Sequence, residues 1–336
     1  MERMGGVQSR FKQIVVPLLI LFLSGCAGLE PAQPPDTNIP ATHLFGVTRL
    51  AFNPAGLLIA SGGYKGDVAI WSVPKGELIK RFQWHQDSVR GLVWLDERNL
   101  VSAGEEGRVV ITDTAGTGTA QRKIETLPGL TALAFLPATK LLVTGYADGT
   151  IRMFSYPSLQ PVKQLKLDAE VVALAVDHAG RRLAVSTDDE HVLMLDQDLE
   201  QSIELQQPSR TALELRFSPD DRTLVAGAWY ELFYWDLSSG RIRAQETEHW
   251  GAITSLDYRP QGDQLITLGR HTDANLRLID SASGSVKRRL QGHRLCGAAV
   301  RFSPDGRYVA SGSDDESIRF YDLNKPYVPQ RVGDSW

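Results

Sequence analysis

A unit of about 41 residues recurs along the chain, and this period limits the possible folds more than any other feature. Each copy has an anchor residue, then a turn rich in Pro or Gly, then two short apolar strands. The seven anchors are Phe52, Trp94, Phe135, Val176, Phe217, Tyr258 and Phe302, spaced by 42, 41, 41, 41, 41 and 44 residues. In the clearest copy, residues 302–323, apolar and polar residues alternate on both sides of an Asp-rich turn.

Alternating strands at this period are typical of four-stranded propeller blades rather than of helical repeats. The sequence therefore predicts an all-β fold, a seven-bladed β-propeller of four-stranded antiparallel blades over residues 43–332, with a tail at 333–336. Two segments could supply the strand that closes the ring. Residues 327–332 align with the outer strand of repeat one, whereas residues 36–42 precede the first repeat. Pro329 and Pro40 weaken the two as ladder partners, and the C-terminal segment is slightly favoured.

The repeats resemble the WD-repeat β-propeller family. In that family a position nine residues before the anchor carries a His, and here it holds His43, His85, His249 and His293. The resemblance implies a hydrogen-bonded tetrad of His, Ser/Thr, Asp and Trp. The matching residues are His293, Ser311, Asp315 and Tyr321 in repeat seven, and His43, Ser61 and Trp71 in repeat one, where Lys65 stands at the Asp position. Because four of the seven histidines share one register, we expect structural roles for them rather than catalysis or metal binding.

The first 25 residues read as a signal peptide. Three basic residues precede an apolar run of ten, Ile14 to Leu23, which is too short for a spanning helix. The following Leu23-Ser24-Gly25-Cys26 resembles a bacterial lipoprotein lipobox, which implies cleavage and acylation at Cys26. Residues 26–42, rich in Pro, are predicted to form an extended tether. Ala27 lacks the Asp that signals inner-membrane retention, so an outer-membrane location is expected if the source is Gram-negative.

Charge and cysteine content narrow the functional classes. The net charge is −4, and removal of the leader, which carries +2, leaves −6. A chain of this sign without a basic face is not expected to bind nucleic acid. With Cys26 acylated, Cys296 is the one remaining cysteine, and it is expected to be buried and inert.

The motifs favour a non-catalytic role. The sequence has no nucleophile elbow, zinc-protease motif, phosphate loop or dinucleotide-binding glycines, so no catalytic residue, cofactor or metal is predicted. The predicted function is a membrane-anchored scaffold for protein–protein interactions in the cell envelope. The alternative is a propeller enzyme, or a protein that binds a sugar or quinone in the central channel. That alternative needs convergent polar groups on the innermost strands, which read as mostly aliphatic at Leu50-Phe52, Leu133-Phe135, Leu174-Val176 and Leu256-Tyr258.

A partner surface is predicted from the family's loop geometry. The resemblance places the residues just after the His register, together with the adjacent turns, on one rim of the channel. Aromatic residues and Arg are enriched at interaction hot spots. The candidate surface comprises Trp229, Tyr230, Trp250, His271 and Arg294. An alternative for Trp229 and Tyr230 is that they pack between blades, in place of a missing tetrad.

Overall fold

Twenty-eight strands in the described part of the chain form seven antiparallel sheets of four strands each. The computed structural model describes residues 32–115, 120–270 and 273–326. Residues 33–327 form one compact unit. The innermost strands contact one another in a closed ring, so the sheets are the blades of a seven-bladed propeller, as predicted from the sequence. No helix occurs among the described residues.

Six blades are made of four consecutive strands, ordered from the channel outwards. Blade 1 comprises β2 (Val47–Phe52), β3 (Leu58–Gly63), β4 (Asp67–Ser72) and β5 (Leu78–Gln83). Blade 2 comprises β6 (Val89–Trp94), β7 (Asn99–Gly104), β8 (Arg108–Asp113) and β9 (Ala120–Glu125). Blade 3 comprises β10 (Leu130–Leu136), β11 (Leu141–Tyr146), β12 (Thr150–Ser155) and β13 (Pro161–Lys166).

The other half of the ring repeats this order. Blade 4 comprises β14 (Val171–Val176), β15 (Arg182–Thr187), β16 (Val192–Asp196) and β17 (Ser202–Glu204). Blade 5 comprises β18 (Glu214–Phe217), β19 (Thr223–Gly227), β20 (Glu231–Asp236) and β21 (Ile242–Glu246). Blade 6 comprises β22 (Ile253–Tyr258), β23 (Gln264–Gly269), β24 (Leu276–Asp280) and β25 (Val286–Leu290). Blade 7 comprises β26 (Gly297–Phe302), β27 (Tyr308–Ser313), β28 (Ile318–Asp322) and, from the N-terminal side, β1 (Thr37–Ile39).

The N-terminal segment closes the ring, which corrects the preference for the C-terminal one. Strand β1 pairs antiparallel with β28, with Ile39 opposite Ile318. The Asp36 amide donates to the Phe320 carbonyl at 2.8 Å, and Ile39 packs into the core between blades 7 and 1. Residues 37–39, assigned to the tether from the sequence, therefore belong to blade 7. The C-terminal candidate, residues 327–332, lies outside the described residues.

The core lies between neighbouring blades. Strand residues that alternate toward the adjacent sheet are almost completely buried, and each cluster draws on two blades. Between blades 4 and 5 the fully buried Trp235 packs with Phe233 and Phe217, and its indole nitrogen donates to the Gln206 carbonyl at 2.8 Å. Burying such aromatic side chains supplies a large share of the stabilisation in a repeat fold, where each unit contacts only its neighbours.

A bulge near the start of the innermost strand recurs in six blades. In β2 the register shifts between Val47 and Arg49, and equivalent shifts occur in β6, β10, β14, β22 and β26. A bulge bends the strand and changes the direction of the side chains that follow it. This recurrent irregularity sets which residues of the innermost strands face the channel.

Candidate functional site

One face of the propeller carries most of its exposed large apolar side chains. We define this upper face by the turns between the second and third strands of each blade and the connections between successive blades. Six of the eleven exposed large apolar residues in the described part of the chain lie there, and we call them the apolar sector: Leu44, Phe45, Trp229, Tyr230, Trp250 and Leu295. All six belong to blades 1, 5, 6 and 7 or to the connections that enter them.

Two aromatic residues of this sector have an unfavourable backbone conformation. Phe45 and Tyr230 both have φ of 67°, in the left-handed region that bulky residues rarely adopt. Both residues are also exposed, at 58% and 44%, so burial of their apolar side chains does not offset the energetic cost of this backbone conformation. Backbone strain of this kind is concentrated at functional sites.

Polar contacts connect the turns of three adjacent blades beneath the apolar sector. The Tyr64 hydroxyl donates to Asp314 Oδ1 at 3.1 Å, and Arg270 Nη2 donates to both Tyr64 Oη at 3.2 Å and Asp314 Oδ2 at 3.3 Å. The Phe45 amide donates to Glu316 Oε1 at 3.1 Å. Turns fixed by such contacts present their side chains in a defined arrangement.

The structure brings four of the five predicted surface residues to the upper face. Trp250 is 78% exposed, Arg294 is exposed, and Trp229 and Tyr230 lie side by side with ring centroids 5.8 Å apart. The two neighbouring aromatics are 37% and 44% exposed, and the Trp229 backbone pairs with that of Ala252 in the connection to blade 6. His271 lies outside the described residues.

The opposite sector of the upper face is acidic. Glu105, Glu170 and Asp188, from blades 2 and 4, lie close enough to influence one another. Burial raises the pKa of the Glu170 carboxyl, the negative charges of Asp188 and Glu105 raise it further, and the Arg90 guanidinium partly offsets them. A cation approaching this sector would therefore be attracted, whereas an anion would be repelled.

Four histidines of the repeat register are completely buried in hydrogen-bonded networks. His293 Nε2 lies 2.7 Å from Ser311 Oγ, and its Nδ1 lies 3.1 Å from Asp315 Oδ1. The fourth residue assigned in blade 7, Tyr321, contacts Ser311 and its hydroxyl donates to the Gln291 carbonyl at 2.6 Å. Cys296, in the connection to the same blade, is half-buried rather than fully buried.

In blade 1 the acidic partner comes from a position that the sequence analysis missed. His43 Nε2 lies 2.6 Å from Ser61 Oγ, to which Trp71 Nε1 also donates at 2.7 Å, but Nδ1 lies 2.7 Å from Asp67. Lys65, at the expected position, is exposed and lies over the Phe45 ring. The acid thus comes six residues after the Ser.

The same displacement occurs in blade 6, and blade 2 uses a longer side chain. His249 contacts Thr267 Oγ1 at 2.8 Å and Asp273 Oδ2 at 2.9 Å, and Arg277 Nη1 also reaches that carboxylate at 2.9 Å. His85 pairs in the same way with Ser102 at 2.8 Å and Glu106 at 2.9 Å. An acid four or six residues after the Ser or Thr is therefore the sequence signal of this network.

The residue two positions after the network Ser or Thr explains why blade 3 lacks the His. A Cβ added at Gly63 would lie 2.7 Å from His43 Nδ1, and the blades that keep the His carry only Gly or the small Ser313 at this position. Blade 3 carries Tyr146 at the equivalent position, fully buried, with its hydroxyl 3.0 Å from Thr144 Oγ1. The tyrosine occupies the volume that the histidine fills elsewhere.

The central channel contains convergent charges that the sequence analysis did not predict. Glu214 accepts hydrogen bonds from Arg301 Nη2 at 3.1 Å, although the two residues come from blades 5 and 7, and it pairs with Arg216 at 2.6 Å. Arg301 Nη1 also donates to Ser255 Oγ at 3.0 Å. Such contacts between non-adjacent blades require the side chains to point into the channel.

The aliphatic face of the innermost strands packs between blades, and it is not the face that carries the channel charges. Side chains alternate along a strand, and the aliphatic Leu50 and Phe52 belong to the face opposite to that of Arg49. Leu50 packs into the core between blades 7 and 1. The charged residues of the channel lie next to apolar residues of this kind in the sequence: Glu214 and Arg49 precede one of them, and Arg216, Asp257 and Arg301 lie between two of them.

Two negative findings apply to the described residues. In the ranges 32–115, 120–270 and 273–326, no helix is long and apolar enough to cross a membrane. Within the same ranges, no group of three or more His, Cys, Asp or Glu side chains is arranged to hold a metal ion.

Seven four-stranded blades, four of which contain a buried His–Ser/Thr–acid network, make the fold similar to that of WD-repeat propellers. The family described as "WD domain, G-beta repeat" matches residues 122–155 and 284–322, and the "Anaphase-promoting complex subunit 4 WD40 domain" matches residues 40–97. Together with the blade architecture, these matches support the WD40 repeat family for this chain.

Relatives among known proteins are remote in sequence. The chain is 25% identical to WD repeat-containing protein 90 of Mus musculus, over 84% of the chain and 17% of that protein. It is 21% identical to Periodic tryptophan protein 2 of Arabidopsis thaliana, over 91% of the chain and 37% of that protein. It is 23% identical to DDB1- and CUL4-associated factor 13 of Xenopus laevis, over 84% of the chain and 65% of that protein. The chain thus spans well under two thirds of the first two relatives.

Proposed function

We propose that this chain is an exported, lipid-anchored scaffold whose propeller binds a protein partner of the cell envelope through the apolar sector, without catalysing a reaction. The observation that carries the proposal is the concentration of exposed large apolar side chains on one face. Soluble monomers rarely leave large contiguous apolar areas in water, and such areas are typical of interaction sites.

The composition of the sector favours a protein as the partner. The sector contains Trp and Tyr, and Arg294 is next to Leu295 in the sequence; these are the residue types that dominate binding energy at protein interfaces. Arg210 lies over the Tyr230 ring at 5.9 Å. The relatives point the same way, since DDB1- and CUL4-associated factor 13 is named for its association with other proteins.

The anchoring part of the proposal rests on the N-terminal sequence. A basic leader, an apolar run of ten residues and Leu23-Ser24-Gly25-Cys26 together form the pattern of a lipoprotein signal. Two or more acyl chains on Cys26 would hold the protein stably at a membrane. Six residues separate Cys26 from Gln33, where the propeller unit begins, which gives the tether a reach of roughly 20 Å when extended.

Site-specific photocrosslinking tests the binding face. A photoreactive phenylalanine analogue at Trp250 or Leu295 is expected to give a discrete adduct with an envelope protein. Ile203 and Val162, on outer strands, are matched controls because they are equally apolar and more than half exposed. The double variant Trp250→Ala, Arg294→Ala should remain folded and abolish the adduct formed from Leu295. Equal crosslinking from the control positions would place the partner elsewhere.

Metabolic labelling tests the anchor independently. Cys26→Ser removes the thiol that is acylated, so the variant should accumulate as an uncleaved precursor and take up no labelled palmitate. Cys296→Ser is the control, since it removes the other cysteine and should mature normally. Normal maturation of Cys26→Ser would refute the lipoprotein assignment while leaving the binding face untouched.

A further inference from the structure

The central channel contains more positive than negative side-chain charge. Four guanidinium groups converge there, those of Arg49, Arg90, Arg216 and Arg301, and they surround a cavity of about 760 Å³. The carboxylates that face them are those of Glu214, Asp257 and, at the upper rim, Glu105. Four cations and three carboxylates leave one positive charge without compensation. Glu170 and Asp188 lie beyond Glu105, on the upper face.

Three of the four arginines have a carboxylate partner. Arg90 pairs with Glu105 at 2.7 Å, and Arg216 and Arg301 share Glu214. Arg216 also approaches Asp257 at 3.5 Å, whose second oxygen accepts from the Phe302 amide at 2.9 Å. These contacts fix the carboxylates in place and leave Arg49 as the cation of interest.

Arg49 has no carboxylate within ion-pair distance among the described residues. Its Nε donates to the Arg90 carbonyl at 2.9 Å and its Nη1 to the Thr48 carbonyl at 2.9 Å. A guanidinium has five N–H donors, so these two bonds leave three available. Burial lowers the pKa of Arg49 to about 10, partly offset by Glu214, and the neighbouring arginines lower it further. An anion is the ligand that this environment favours.

The rest of the channel wall provides space and an apolar surface. On blades 2, 3 and 4 the positions that correspond to Arg49 and Arg301 hold small or aliphatic residues, and among the described residues Arg90 is the one charged residue on this part of the wall. The small or aliphatic residues are Gly91, Val93, Ala132, Ala134, Ala173 and Ala175. Cavities of several hundred Å³ with an apolar wall and a few fixed polar groups are typical of small-molecule sites.

We propose that the central channel is a binding site for a small organic anion, whose phosphate or carboxylate group binds Arg49 and whose apolar part packs on the alanine-rich wall of blades 2–4. A planar guanidinium can bind either oxyanion through two parallel hydrogen bonds. Arg216 and Arg301 add to the positive potential, while Glu214 opposes it. This site is distinct from the apolar sector and does not depend on the proposed scaffold function.

Isothermal titration calorimetry on the intact protein, with three probes, tests the site. Phenyl phosphate and benzoate distinguish a phosphate from a carboxylate ligand on the same apolar body, and inorganic phosphate lacks that body. We expect one of the two aromatic anions to bind, and phenyl phosphate to bind several-fold more tightly than inorganic phosphate. Failure of both aromatic anions to bind below about 10 mM would overturn the proposal.

Two channel variants with opposite expected effects separate this site from adventitious binding. Arg49→Gln should weaken binding by at least about tenfold, because it removes the charge-assisted hydrogen bonds. Glu214→Gln should tighten binding, because it releases Arg216 and Arg301 from a competing carboxylate. If that variant does not fold, Asp257→Asn carries the same expectation.

A matched control outside the channel completes the experiment. Arg98→Gln removes a guanidinium that is 63% exposed and paired with Asp113, so it should leave binding unchanged. Melting temperatures of the variants without ligand show whether an effect is merely structural. Equal affinity of the wild type, Arg49→Gln and Glu214→Gln would show that the anions bind elsewhere and would overturn the assignment.

Discussion

The two halves of the ring share one backbone plan but differ in their exposed chemistry. In blades 5, 6, 7 and 1 the channel wall carries Arg49, Glu214, Arg216, Asp257 and Arg301, and the upper face carries the apolar sector. In blades 2–4 the channel wall is small and aliphatic apart from Arg90, and the upper face is acidic. The innermost strands of both halves pair in the same registers.

This difference shows which positions of the repeat can vary in sequence without loss of the fold. Positions between blades must remain apolar because each sheet is stabilised by its neighbours. Positions that face the channel or the upper turns make few of those contacts, so they can change without loss of the fold. Distinct chemistry confined to one half of the ring therefore marks the candidate functional side.

The largest expected effect concerns the closure of the ring within the charged half. A chain beginning at residue 40 lacks β1, whereas one beginning at residue 32 keeps it. We expect the shorter chain to lose at least about 3 kcal/mol of unfolding free energy, because the Ile39 contact and the hydrogen bonds to β28 are lost. Urea denaturation of the two chains measures this. Equal stability would mean that another segment closes blade 7.

A buried network should also distinguish blade 6, in the charged half, from blade 3, in the other half. Asp273→Ala leaves His249 and the buried Arg277 without their carboxylate, which should cost about 3–5 kcal/mol. Asp148 follows Thr144 in blade 3, which lacks the His, and its side chain is half exposed. Asp148→Ala should therefore cost about 1 kcal/mol or less. Similar losses of stability in the two variants would contradict the distinction.

Acidification should act on the same networks. Burial lowers the pKa of His249 and His293 below the usual 6.5, partly offset by Asp273 and Asp315 respectively. Because the unfolded chain then binds more protons, stability should be full above about pH 7 and fall as the pH drops below 6.5, by up to about 1.4 kcal/mol per unit for each His. Melting temperatures between pH 7.5 and 5 measure the slope.

A variant without both histidines checks the origin of that slope. His249→Gln, His293→Gln should lose stability at neutral pH and show a shallower decline between pH 6.5 and 5. In the wild type, hydrogen bonds to these histidines lower the pKa values of the Asp273 and Asp315 carboxylates. Protonation of these carboxylates should add a separate loss of stability only below about pH 4. An unchanged slope in the double variant would assign the decline to other groups.

The smallest expected effect is an increase in the unfolding free energy. Phe45→Gly relieves a left-handed backbone conformation and should raise the unfolding free energy by roughly 0.5–1 kcal/mol, while weakening partner binding. Leu295→Gly, also in the apolar sector but with no positive φ, should not stabilise the protein. Loss of stability in Phe45→Gly would show that the side chain is retained for packing.

Most of the fold could be predicted because the repeat period and strand alternation are local properties of the sequence. The seven-bladed propeller of four-stranded blades is confirmed. The acidic partners Asp67 and Asp273 were missed because a fixed spacing was assumed, whereas the turn allows the carboxylate to reach the His from either of two positions. The channel charges were missed because the sequence analysis read the aliphatic positions of the innermost strands, whereas the charged residues occupy the alternate positions.

The number of blades and the register of the buried histidines could be read from the sequence, since both follow from spacing along the chain. That β1 closes the ring, and that Glu214 and Arg301 meet across the channel, became evident from the three-dimensional fold. The fold also decided that the exposed aromatics share one face with Leu44 and Leu295. These features join residues up to about 280 positions apart, and ring closure alone brings them together.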